Sequence, residues 1–154
     1  MNGMRPATLA ALLLSGALSG GCALIDPPPG YVSLRDTGDK AFLAVSAKGN
    51  TLAVSDRENE GGDPADLSFW VEAFKHEKIE PGRYRLQGEE PVRTTDGRDG
   101  VLLDLRLGHG AAEYTWLVAL FVDPSRIVTV EAGGPTKQID PDRDKLVTAI
   151  RTLH

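Results

Sequence analysis

"GVLLDLRLGHGAAEYTWLVALFVDPSRIVTVEAGGP", residues 100–135, decides the fold. Every position from Trp116 to Val122 is apolar. A strand turns successive side chains to opposite faces, so Trp116, Val118 and Leu120 point one way and Leu117, Ala119 and Phe121 the other. Both faces must then be covered, which makes this a central strand. In the preceding segment, 100–107, Asp104 and Arg106 alternate with Leu103, Leu105 and Leu107. That alternation predicts a wet face carrying a cross-strand ion pair. Gly108-His109-Gly110 separates these two strands, and Asp123-Pro124 turns the chain into a third, "RIVTVEA".

Working outward, the repeated "LAVS" at 43–46 and 52–55 flanks Gly49-Asn50, a turn that suits a hairpin. After the polar loop "DRENEGGDPAD", the segment "ADLSFWVEAFKHEK" places Leu67, Trp70, Val71 and Phe74 at helical spacing, with Asp63 or Asp66 as cap. "PGR" at 81–83 ends that helix and opens a strand over 83–88, extendable to 94. At the C-terminus, "DPDRDKLVTAIRTLH" predicts a helix capped by Asp140, with Pro141 at its first position and Leu146, Val147, Ile150 and Leu153 on one face. The order predicts one α+β domain over 31–154, an antiparallel sheet of about six strands with an internal and a C-terminal helix packed on it.

The first thirty residues have a different character. Arg5 precedes an apolar run from Ala7 to Leu18, followed by small residues up to Gly21. The run is too short for a bilayer span of about twenty residues and has the pattern of a secretory signal peptide over 1–21. "LSGGC" then resembles the lipobox of bacterial lipoproteins, with Leu18 one position further from Cys22 than that family's leucine and Ser19 in its place. The resemblance implies that Cys22 becomes the first mature residue, diacylated on its thiol and acylated on its new amine. Ala23 after it, rather than aspartate, implies sorting to the outer membrane, with the domain facing the periplasm. "DPPPG", residues 26–30, predicts a stiff spacer between lipid and domain.

Charge and motifs exclude several function classes. The net charge is −5, and loss of residues 1–21 removes one cation, Arg5, leaving −6. No basic patch is present for a nucleic acid. "DRENEG", 56–61, begins like a calcium loop, but Leu67 stands where the closing glutamate belongs. "HEKIE" begins like a zinc helix, but Glu80 replaces the second histidine. With three scattered histidines and one cysteine, no metal or other cofactor is expected, and no catalytic set emerges. Trp70 and Trp116 are the candidate ligand-binding residues, lining an apolar pocket between helix and sheet, with core packing their ordinary alternative.

The stretch 100–135, followed by an aspartate-led helix ending "LVTAIRTL", resembles the superfamily that contains the photosystem II extrinsic protein PsbP, a Ran-binding nuclear import factor and periplasmic lipoproteins of the DcrB type. The likeness spans roughly residues 40–154. It implies roles in binding or assembly and carries over no site residue. The expected function is a lipid-anchored, non-enzymatic binding or accessory domain for an envelope protein. A carrier of a small apolar ligand is the alternative, and a hydrolase stands behind both.

Overall fold

The computed structural model describes residues 24–60 and 65–154. Seven strands form one antiparallel sheet: β1 (Tyr31–Ser33), β2 (Phe42–Ser46), β3 (Thr51–Glu58), β4 (Arg85–Arg93), β5 (Asp99–Leu107), β6 (Tyr114–Val122) and β7 (Arg126–Pro135). The spatial order is β1-β2-β3-β7-β6-β5-β4. Helix α1 (Leu67–Lys78) enters between β3 and β4, and α2 (Thr136–Ile150) follows β7. The α+β class expected from the sequence is observed, with the short β1 as a further edge strand. The signal segment lies outside the described residues.

The two helices cover opposite faces unequally. On one face α2 closes a large core of Leu52, Val54, Leu102, Leu117, Phe121 and Val130 with its own Ile139, Leu146 and Ile150. On the other, α1 sets Val71 against Leu103, Leu105, Val118 and Leu120. These contacts place α1 over β5 and β6. The apolar double face of β6 follows from this placement, since only there do helices lie on both sides. In β3 and β7, Leu52, Val54, Val128, Val130 and Ala132 join the α2 core, while Thr51, Ser55, Thr129 and Glu131 alternate with them and face the side that α1 leaves open.

Helix α1 begins as expected, with the Asp66 carboxylate accepting the Phe69 amide at 3.0 Å. That bond holds the Asp66 carboxyl below its ordinary pKa. Helix α2 does not. It starts at Thr136, so Pro141 lies inside the helix and Asp140 is no cap. Strand β7 runs to Pro135 and leads directly into it, which leaves no room for the predicted loop. Pro141 sits one turn in, where it removes a single intrahelical bond.

The proline segment also differs from the expected free spacer. Ile25 is 3% exposed and belongs to the α2 core. The Leu24 amide donates to the His154 carbonyl at 3.1 Å, and the His154 amide returns to the Leu24 carbonyl at 3.1 Å. The Asp26 amide donates to Thr152 Oγ1 at 2.8 Å, and Pro27–Pro29 lie over Asp144, Lys145, Thr148 and Ala149. Residues 24–29 therefore pack on the domain rather than standing clear of it. Ile25→Asp is expected to release this segment. Hydrogen exchange at the Leu24 and His154 amides should rise, and stability should fall by at most about 3 kcal/mol, the value of one buried aliphatic side chain. Unchanged exchange would show that the segment is held by other contacts.

Both sheet edges are blunted. Strand β1 has three residues. Strand β4 carries Arg85, Glu89, Glu90, Arg93 and Pro91, with a register shift between Leu86 and Gly88. Charge, proline and bulge are the usual devices against edge-to-edge pairing.

Candidate functional site

Two grooves lie beside α1, where the sheet emerges from under it toward β3 and β7. One, of about 440 Å³, is walled by Tyr84, Leu107, Tyr114 and Trp116 and floored by Leu43, Ala53 and Gly133. The register explains the set. Leu105 pairs with Trp116 and Leu107 with Tyr114 across β5–β6, so all four side chains share the α1 face. Tyr84, leaving the turn after α1, stacks obliquely on Trp116 at 5.0 Å between ring centres, and Phe74 of α1 meets the same indole at 5.6 Å. Gly133 pairs with Trp116 and keeps the floor flat, since a Cβ there would reach Tyr114 at 3.4 Å. Tyr114 is 39% and Leu107 36% exposed.

Lys40, Glu131 and Thr51 at the side of this groove are engaged with neighbouring groups. Lys40 Nζ lies 3.0 Å from Ser55 Oγ and 3.7 Å from the Glu131 carboxylate, and Thr51 Oγ1 lies 3.5 Å from the Gly133 carbonyl. The groove thus offers aromatic and aliphatic surface with one neutral ion pair at its side. Its volume falls within the usual range for small-ligand sites, and its aromatic content is also that of protein-contact surfaces.

The second groove, about 310 Å³, lies further along β3 and β7 between Arg57, Trp70, Phe74, Leu120 and Thr129. Trp70 donates its indole N–H to Asn59 Oδ1 at 3.1 Å, and the Arg57 guanidinium stands 4.8 Å over its ring. The two candidate tryptophans therefore line separate grooves, with the Phe74–Trp116 contact between them. Beneath α1, Val71 packs on Leu103, Leu105, Val118 and Leu120.

On the opposite face Asp104 and Arg106 are 8% and 9% exposed. They are buried, not the wet face predicted, because α2 starts early and its first turns lie across them. Arg106 Nη1 reaches the Asp140 carboxylate at 3.0 Å, Asp104 Oδ1 at 3.5 Å and the Thr115 hydroxyl. Arg143 approaches Asp104 Oδ2 at 3.7 Å and Glu90 at 2.7 Å, and Thr115 bonds Thr136 at 2.9 Å. Burial raises the Asp104 pKa, with Arg106 and Arg143 opposing it. The cluster ties β5 and β6 to α2 and opens into neither groove.

The remaining sequence signals resolve locally. Asp56, the first residue of the calcium-like stretch, is in β3 and ion-paired with Arg126, whose Nε lies 3.0 Å away. His76 pairs with Glu80 at 2.5 Å on the exposed end of α1. Among the described residues no group of three or more potential ligands is placed to hold a metal. Cys22 and the signal segment lie outside the described residues. Sequence reading missed Tyr84, Leu107 and Tyr114; their signal was the parity of 105, 107, 114 and 116 across one hairpin, which becomes useful only once the register is known.

These features define an α+β fold built on one antiparallel sheet, with one face sealed and the other half open. The cyanobacterial PsbP (CyanoP) of Synechocystis sp. PCC 6803 is similar, with 14% identity and TM-score 0.56, over 90% of this chain and 95% of that one. A Pseudomonas aeruginosa protein of unknown function, PA94, described as a candidate regulator, matches over 86% of this chain and 83% of its own at 13% identity and TM-score 0.52. A Bacteroides thetaiotaomicron structure matches at 14% identity and TM-score 0.50, over 84% of this chain and 43% of that one. No family model matches the chain. No curated protein matches it either. At these identities the likeness is one of fold.

Proposed function

We propose that the chain is a lipid-anchored, non-enzymatic accessory domain, held at the periplasmic side of the outer membrane through Cys22, that binds an envelope protein through the aromatic groove beside α1. The observation that carries this reading is the unequal cover of the sheet. Helix α1 packs on the middle of β5 and β6 and leaves Leu107 and Tyr114 exposed at their ends, contiguous with the half-buried Tyr84 and Trp116. Aromatic anchors of this kind dominate protein interfaces. The PsbP-like fold of its structural neighbours agrees with an accessory role. Among the described residues, the one carboxyl group with a burial-raised pKa, Asp104, is engaged by two arginines on the other face, which favours binding over hydrolysis.

The test is crosslinking in the native envelope from a photoreactive residue at Leu107, with Val32 on the far edge as control. A discrete partner trapped from Leu107, absent from Val32 and lost at least about tenfold on Tyr114→Ser, is the expected result. Equal yield from both positions would sink the groove as the interface. Anchorage has its own test, since Cys22→Ser is expected to abolish labelling by a palmitate analogue. The carrier reading is favoured by one feature, the 440 Å³ volume with aromatic walls. It predicts a bound small molecule in native mass spectra of the envelope-extracted protein, reduced in Trp116→Leu.

A further inference from the structure

The polypeptide before Leu24 carries the membrane signal, and the fold determines where that polypeptide departs. The sheet has two poles. At one lie the β4–β5 turn, whose Thr95 amide donates to the Arg151 carbonyl at the end of α2, and the β6–β7 turn, whose Asp123 and Ser125 carbonyls accept from Asn59. The Leu24–His154 backbone pair lies at this pole. From there Asp26–Pro29 run back along α2 toward its start, past Thr152, Ala149, Thr148 and Lys145. At the other pole lie the β2–β3 hairpin, the Gly110–Ala112 turn and the start of α2, tied by the Thr136 amide to the Glu113 carbonyl. The aromatic groove opens beside this second pole, through Thr51, Leu107, Tyr114 and Gly133. Nine-residue strands separate the poles by about 30 Å.

We infer that residues 24–29 act as a strap rather than a tether, and that they seat the anchored domain with its Leu24–His154 pole against the lipid bilayer and its aromatic groove at the far pole. This rests on the N-terminal anchorage proposed above. Cys22 precedes Leu24 by two residues, which span at most about 7 Å of extended chain. Were residues 22–30 free, the same anchor would leave about 30 Å of slack, enough for any face to meet the membrane. Docking of Ile25 into the core, the paired Leu24–His154 backbone bonds and the Asp26 amide bond to the Thr152 hydroxyl remove that slack. The occupant of the near pole is therefore the bilayer in which the anchor ends. Electrostatic attraction is not required, since Arg93 and Arg98 there are paired with Asp99 and Asp96. The far pole is presented about 30 Å out, where a periplasmic protein reaches the groove without competing with lipid.

The experiment uses the full processed chain in phosphatidylcholine vesicles containing headgroup-nitroxide lipid. A fluorophore is placed at the near pole through Thr95→Cys or at the far pole through Ala111→Cys; both sites are exposed, and an acylated Cys22 does not compete for the label. Quenching several-fold stronger from 95 than from 111, unchanged at high salt, is expected. Inserting twelve Gly-Ser residues between Ala23 and Leu24 should erase the contrast, because such a linker spans roughly 20 Å. Equal quenching in the parent, with the protein still floating with vesicles, overturns the strap orientation and leaves anchorage standing. Contrast that survives the insertion overturns the strap as its cause. Failure to float overturns anchorage and this inference together.

Discussion

Replacing Arg106 by methionine is expected to destabilise the fold by about 3–5 kcal/mol at neutral pH, read as a lower urea midpoint at unchanged slope. Arg106 is the cation shared by Asp104, Asp140 and Thr115 beneath the first turns of α2. Without it Asp104 keeps only Arg143 at 3.7 Å, and a carboxylate with little access to water is left short of charge. Asp104→Asn should differ sharply, with stability changed by less than about 1 kcal/mol, because desolvation already outweighs pairing for that carboxylate. A loss from Asp104→Asn as large as that from Arg106→Met would show that the ion pair itself, rather than its rupture, stabilises the fold.

The pH dependence follows from the direction of the Asp104 shift. Its folded pKa lies above the unfolded value, so the native state binds more protons between the two. Its contribution is fully present below the ordinary carboxylate range and is lost as pH rises through the folded pKa. Asp104→Asn should flatten this slope. The deficit of Arg106→Met should shrink on acidification, since protonated Asp104 no longer needs the missing cation. Titration of urea midpoints between pH 4 and 7 for the three proteins checks the sign.

The second large effect lies on β6. Phe121→Ala is expected to cost about 3–5 kcal/mol, because the ring is 1% exposed and sits over Gly100, which has no side chain to fill the space left. Gly100→Ala should also destabilise, by about 1–3 kcal/mol. A Cβ there would lie 2.6 Å from Phe121 Cδ1 and 2.6 Å from the Leu120 carbonyl. Because that carbonyl remains, adding Gly100→Ala to Phe121→Ala should not rescue stability. A double variant more stable than Phe121→Ala alone would show that the ring, and not the backbone, excludes a side chain at 100.

Much of the architecture was legible in local pattern. The unbroken apolar run from Trp116 to Val122 marked the doubly covered strand, and Asp66 ahead of Leu67, Trp70, Val71 and Phe74 marked α1, because cap and period are properties of neighbouring residues. The alternation in β3 and β7 also recorded an open face, since Thr51, Ser55, Thr129 and Glu131 are polar where no helix covers them. Local rules misplaced α2 because "DP" is a strong start signal in isolation, yet β7 hands its last residue straight to the helix. That shift of one turn decides the fate of Asp104 and Arg106, which look solvated in their strand and are buried by a segment more than thirty residues away.

By itself the sequence determined the order and type of β2–β7 and of both helices, because period, capping and turn chemistry act over a few residues. Only the tertiary structure decided which half of the sheet α1 leaves open, that Trp70 and Trp116 serve different grooves, and that Ile25 ties the proline segment to α2. Each of these depends on strand order and register, which bring together residues far apart in the chain, and no local pattern encodes that distance.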